Sequence, residues 1–77
     1  MSHKHAVLHP IGMLKQYTHG QSDVPIEPGR TVRDVFNQLC IPAHVVALVL
    51  VNKEVVSKDY LIKQNDYIEI MAVLGGG

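Results

Sequence analysis

At 77 residues the chain has the length of one small domain. With 47% hydrophobic and 18% charged residues it has a soluble globule's composition, although a chain this short buries only roughly 60% of its unfolded surface. Seven basic and seven acidic side chains leave no basic excess, which argues against a phosphate-tracking, nucleic-acid-binding surface. The single cysteine, Cys40, excludes an internal disulfide. No apolar run is long enough to span a bilayer, and the opening "MSHKHAVLHP" lacks the long apolar stretch of a signal peptide. A soluble cytoplasmic protein without a membrane partner is expected.

In chain order, "HKHAVLHP" predicts a first strand, and "GMLKQYTHG" a short helix closed by Gly20. Val24 to Ile26 predict a short strand that Pro25 restricts to a sheet edge or a bulge. The clearest element is "GRTVRDVFNQLC". Val32, Val35, Phe36, Leu39 and Cys40 fall on one helix face, and Thr31 with Asp34 has the spacing of a capping box. Pro42 disfavours helical geometry at Ile41, so the helix is predicted from Val32 to Cys40. Cys40, at the end of the apolar stripe, is expected as a small buried core residue.

The valine-rich run Val45 to Val51 predicts a buried strand, Asn52-Lys53 a hairpin turn, and Glu54 to Ser57 the return strand. "SKDYLIKQ" reads as a connection that buries Leu61 or Ile62, with Lys58, Asp59, Lys63 and Asp66 as solvated charges. After an Asn65-Asp66 turn the last strand alternates cleanly, with Tyr67, Glu69 and Met71 on one face and Ile68, Ile70 and Ala72 on the other. One helix laid across a mixed sheet buries both apolar surfaces at this size, giving an α+β domain. The last strand is expected to be central or well paired.

The chain closes on Gly75-Gly76-Gly77, residues usually placed where a backbone turns sharply. Together with "VNKEVV", "DYLIKQNDYIEIMAV" and "EPGRTVRDVF", this ending resembles the ubiquitin-like sulfur carriers of the ThiS and MoaD type. The family motifs fall on Val51-Asn52-Lys53-Glu54, on Leu61 to Ile70 and on Gly76-Gly77, and the resemblance covers most of the chain. Lys53 and Asn65 stand where the family usually has glycine. "HPIGMLKQYTHG" is similar to the longer MoaD branch. The resemblance implies a β-grasp domain over residues 1–73 and a flexible tail over 74–77.

It also implies a function for the tail. An E1-like adenylyltransferase would activate the Gly77 carboxylate as an acyl-adenylate, and sulfur would displace AMP to leave a thiocarboxylate. The implied partners are that enzyme, a sulfur donor and an acceptor synthase, either the large molybdopterin synthase subunit or a thiazole synthase. The chain would then be a carrier and not an enzyme, with no cofactor or metal of its own.

Elementary chemistry agrees with this use of glycine. A terminal carboxyl with a pKa near ~3.5 is an ionised oxygen nucleophile at neutral pH. Glycine adds no Cβ to crowd incoming sulfur, and Gly75 and Gly76 let the tail thread a narrow passage. Extended residues span roughly 3.3–3.6 Å each, so Leu74 to Gly77 would reach on the order of 12 Å. A docking patch is expected on the sheet face opposite the helix, from Leu8, Ile11, Met71, Val73 and Leu74.

Two other classes stay open on the sequence: a protein modifier that forms an isopeptide bond through Gly77, and a non-covalent interaction module with an inert tail. His3, His5 and His9 share a strand parity but have no spaced acidic or thiol partner, so a metal site is not expected. Arg30 and Arg33 are either solvated or meet an acidic partner. No catalytic set of serine, histidine and aspartate and no phosphate loop is present.

Overall fold

The computed structural model describes residues 5–72. Five strands form one sheet in the order β2-β1-β5-β3-β4: β1 Ala6–Pro10, β2 Val24–Ile26, β3 Val46–Val51, β4 Glu54–Val56 and β5 Tyr67–Ala72. One α-helix, α1 (Val32–Leu39), covers one face, and short 3-10 helices span Gly12–Thr18 and Ala43–Val45. β5 is central, parallel to β1 and antiparallel to β3. The strand nearest the glycine tail is therefore held on both sides.

The core lies between α1 and the sheet. Val32, Val35 and Phe36 of the helix meet Ala6, Leu8, Val46, Val49, Val51, Ile68 and Ile70. Ile62, 2% exposed, seals the loop side of this core, whereas neighbouring Leu61 is 56% exposed. In β3, a register irregularity between Val46 and Leu48 adds one residue opposite the end of β5. Strict alternation would put Val46 and Val49 on opposite faces; the extra residue lets both enter the core.

Pro25 sits on edge strand β2, paired with Val7. Val7 gives its N–H to the Asp66 carbonyl at 2.9 Å, away from β2. The Val7–Pro25 pair is thus the non-bonded kind, and the missing proline N–H faces the open edge. A second chain finds one donor fewer there, which blunts the edge against strand pairing.

The start of α1 leaves no orphan donor in its first turn. Val32 and Arg33 donate to the carbonyls of Tyr60 and Lys58 at 3.0 and 2.8 Å. Asp34 donates to Thr31 Oγ1 at 3.1 Å, and Val35 to the Thr31 carbonyl at 3.2 Å. Asp34 Oδ2 completes the capping box on the Thr31 N–H.

Two expectations are corrected. The helix stops at Leu39, and Cys40 is its left-handed cap (φ 60, ψ 34), exposed rather than buried. Its backbone turns out of the helix to close the last turn, which swings the side chain off the apolar stripe. Asp66 is not a solvated charge. It is 6% exposed, and its carboxylate accepts from Tyr60 Oη at 2.8 Å, the Lys63 N–H at 2.8 Å and Asn52 Nδ2 at 3.0 Å. Of the other charges, Arg33 pairs with Asp59 at 3.1 Å, Arg30 with Glu27 at 3.2 Å, and Lys58 donates to the Ala43 carbonyl.

Candidate functional site

The site is assembled at the two ends of β5. At its start, Asn52 and Lys53 both have positive φ (51 and 74), the geometry of a tight two-residue hairpin turn. That geometry turns the Asn52 amide onto β5. Asn52 Oδ1 accepts the Tyr67 N–H at 3.0 Å, and the Asn52 N–H donates to the Tyr67 carbonyl at 2.8 Å. Asn65 is also left-handed (φ 72), which lets the chain turn sharply into Asp66. The buried Asp66 carboxylate ties this turn to the hairpin, so the motif residues Asn52, Asn65 and Asp66 fix where β5 begins.

Tyr60 donates to Asp66, and that bond, with burial and the carboxylate charge, raises its phenol pKa above the ordinary 10.0. A raised folded-state pKa means the stabilisation is fully present below the unfolded value of about 10 and is lost as pH rises through the folded value. The thermal midpoint is therefore expected to fall above pH ~10, and to fall less steeply in Tyr60→Phe, measured by circular dichroism melts across that range. Equal slopes in the two proteins would contradict the assignment.

Beyond its start, β5 carries Tyr67, Glu69 and Met71 on the face away from α1, as the alternation predicts. In register with them stand Val7 beside Tyr67, His9 and Leu50 beside Glu69, and Leu48 beside Met71. Val55, 64% exposed, extends this face beside Leu50. At the end of β5, Ile11, Gly12, Met13, Met71 and Ala72 line an apolar hollow of about 230 Å³, with Met13 61% exposed. The hollow thus adjoins the residue from which the tail departs.

Polar groups are set into the same face. His9 Nδ1 lies 2.9 Å from Asp23 Oδ1, its ring stacks on Tyr67 at 5.7 Å, and Tyr67 Oη donates to Asp23 at 3.4 Å. Lys53 Nζ is 3.3 Å from Glu69 Oε1 and 6.0 Å from the Tyr67 ring centre. Desolvation, followed by the charges of Asp23 and Glu69, raises the Tyr67 pKa, so its hydroxyl stays a donor.

Of the expected docking residues, Ile11 and Met71 are brought together on this surface. Leu8 is not. It is 1% exposed because β1 turns it into the core beneath α1, and the outward neighbours in its strand are Val7 and His9. Val73, Leu74, Gly75, Gly76 and Gly77 lie outside the described residues, as does His3. Sequence reading missed Met13, Leu48, Leu50 and Val55. The alternation of β3 offered a signal for Leu48 and Leu50 that the extra residue in that strand obscured. Among the described residues no group of three or more histidine, cysteine, aspartate or glutamate side chains could hold a metal ion. No described helix is long and apolar enough to cross a membrane.

Comparison with known proteins bears on this arrangement. The sequence model of the ThiS family matches residues 11–77, most of the chain. The chain belongs to the ThiS family. It is a ubiquitin-like sulfur carrier with the β-grasp fold. No curated protein matches it. Among solved structures, the solution structure of Urm1 from Trypanosoma brucei is similar over 100% of both chains, with TM-score 0.73 and 20% identity. The solution structure of the Haloferax volcanii HVO 2177 protein is similar over 95% of this chain and 86% of that one, with TM-score 0.72 and 16% identity. At these identities the two structures speak for the fold alone.

Proposed function

We propose that this ThiS-family protein carries sulfur as a thiocarboxylate on Gly77. The supporting observation is the anchoring of the strand that the tail follows in sequence. The central strand β5, anchored through Asn52 and Asp66, ends at Ala72, and Val73-Leu74-Gly75-Gly76-Gly77 follows directly. A partner that grips the face around Ile11, Met13 and Met71 has the tail root in its grasp.

The chemistry then runs in two steps. A Gly77 carboxylate oxygen attacks the α-phosphate of ATP, pyrophosphate leaves, and an acyl-adenylate forms on an E1-like enzyme. Hydrosulfide released by the donor attacks the acyl carbon, the carbon–oxygen bond to AMP breaks, AMP leaves, and loss of the S–H proton gives the thiocarboxylate. The carrier supplies the carboxylate, an unhindered acyl carbon and a docking face. Its residues perform no proton transfer, and the carrier itself is not an enzyme.

As the acceptor we propose a molybdopterin precursor, with this chain as the small subunit of the synthase. The longer segment between β1 and β2, with its 3-10 helix Gly12–Thr18, supports the MoaD-like branch.

Incubation with ATP, an adenylating enzyme and a sulfide source is expected to shift the intact mass by the difference between sulfur and oxygen. A chain that no adenylating enzyme of its own cell activates would overturn the proposal. Rescue of a molybdopterin auxotroph is expected; rescue of a thiamine auxotroph alone would move the acceptor to thiazole synthesis.

A further inference from the structure

We infer that the partner docking on the outer sheet face presents a basic side chain, arginine by preference, opposite Glu69. The inference rests on the carrier reading above and adds the chemistry of the partner's surface. Glu69 sits at the middle of that face, flanked in register by His9 and Leu50, with Val55 beyond Leu50 and Met71 further along its own strand. Its side chain is only 14% exposed. The carboxylate is thus already partly desolvated by apolar neighbours before anything binds.

Its ion-pair partner among the described residues is Lys53, which reaches in from the hairpin turn with a side chain 76% exposed. Nζ stands 3.3 and 3.5 Å from the two carboxylate oxygens, both at the long end for charge-assisted bonds. The lysine end of the pair is solvated and its bonds are long, so Lys53 is readily exchanged for a better-placed cation. Asp23, the second carboxylate of the face, accepts from His9 and Tyr67. Among the described residues, this face thus holds two carboxylates and one lysine.

A partner that covers the face removes the remaining water from Glu69. An unmatched carboxylate would then be strongly unfavourable, whereas a partner guanidinium could engage both oxygens in parallel. An apolar surface with a central arginine therefore fits this face, and an acidic or uniformly apolar one does not.

The test uses the adenylating enzyme that loads the wild-type chain in the mass assay. Glu69→Gln keeps the shape and removes the charge. It is expected to raise the KM for the carrier by about ten- to a hundredfold with kcat unchanged. Asp59→Asn removes an exposed carboxylate that pairs with Arg33 away from this face, and is expected not to raise KM. A wild-type KM for Glu69→Gln overturns the inference while the carrier reading stands. So does an equal rise in both variants, which would mean that loading responds to the chain's net charge and not to Glu69. If the wild-type chain is never adenylated, the carrier reading falls and takes this inference with it.

Discussion

A chain shortened to end at Gly75 is expected to lose adenylation and thiocarboxylate formation by at least about a hundredfold while keeping its melting temperature. The loss follows from reach. Removing two extended residues withdraws the carboxylate by roughly 7 Å, and displacements of about 1 Å in a reacting group can already cost about a hundredfold. The unchanged melting temperature follows from the core, whose buried members among the described residues run from Ala6 to Ile70. Intact mass spectrometry after incubation with ATP, enzyme and sulfide reads the first outcome, and a thermal melt the second. Full loading of the shortened chain would remove Gly77 as the reacting residue. Loss of both loading and stability would instead assign the tail a structural part.

Asp66→Ala is expected to destabilise the domain by about 3 kcal/mol or more, a large share of what a domain of this size has available. The substitution deletes a carboxylate that serves three donors and leaves Tyr60 Oη, the Lys63 N–H and Asn52 Nδ2 without it in a partly buried site. Net contributions of about 1.5–3 kcal/mol per hydrogen bond to a charged group, discounted for non-additivity, give that figure. At about 4–8 °C per kcal/mol, the melting temperature falls by more than about 12 °C. Asp66→Asn, which keeps one acceptor oxygen, is expected to lose less. Urea denaturation of the three proteins measures the differences, and a loss under about 1 kcal/mol for the alanine variant would show that Asp66 does not hold the turn.

The Asp66 result bears on function through geometry. Asp66 and Asn52 fix the start of β5, and the far end of that strand launches the tail. A loosened turn can therefore reduce loading without any change at the glycines. Measured below its melting temperature, Asp66→Asn separates this positional effect from simple unfolding.

Much of this was legible in the sequence because the signals were local. The capping pair Thr31 and Asp34, the periodicity of Val32, Val35 and Phe36, and the alternation of Tyr67 to Ala72 each report on a few neighbouring residues. Positive φ at Asn52, Lys53 and Asn65 follows from turns that the motif spacing already located. The misreadings concern residues whose environment is set by distant parts of the chain. Asp66 looked solvated beside Lys63 and Asn65, yet the Tyr60 hydroxyl and the Asn52 amide close over it. Cys40 followed the apolar stripe by count, but the helix ended one residue sooner. Alternation alone allows Leu8 on either face, because it shows that two faces exist without showing which one the helix covers.

Local signals in the chain are enough for the helix, the turns, a well-paired last strand and the glycine ending that points to carrier chemistry. Each is encoded in contiguous residues through backbone preference and periodicity. Strand order and packing alone reveal which sheet face is free, that Met13, Leu48, Leu50 and Val55 lie on it with Met71, and that Glu69 sits largely sheltered at its centre. Those facts depend on strand order and register, and register is settled by burial of the opposite face against α1. No short stretch of chain carries that information.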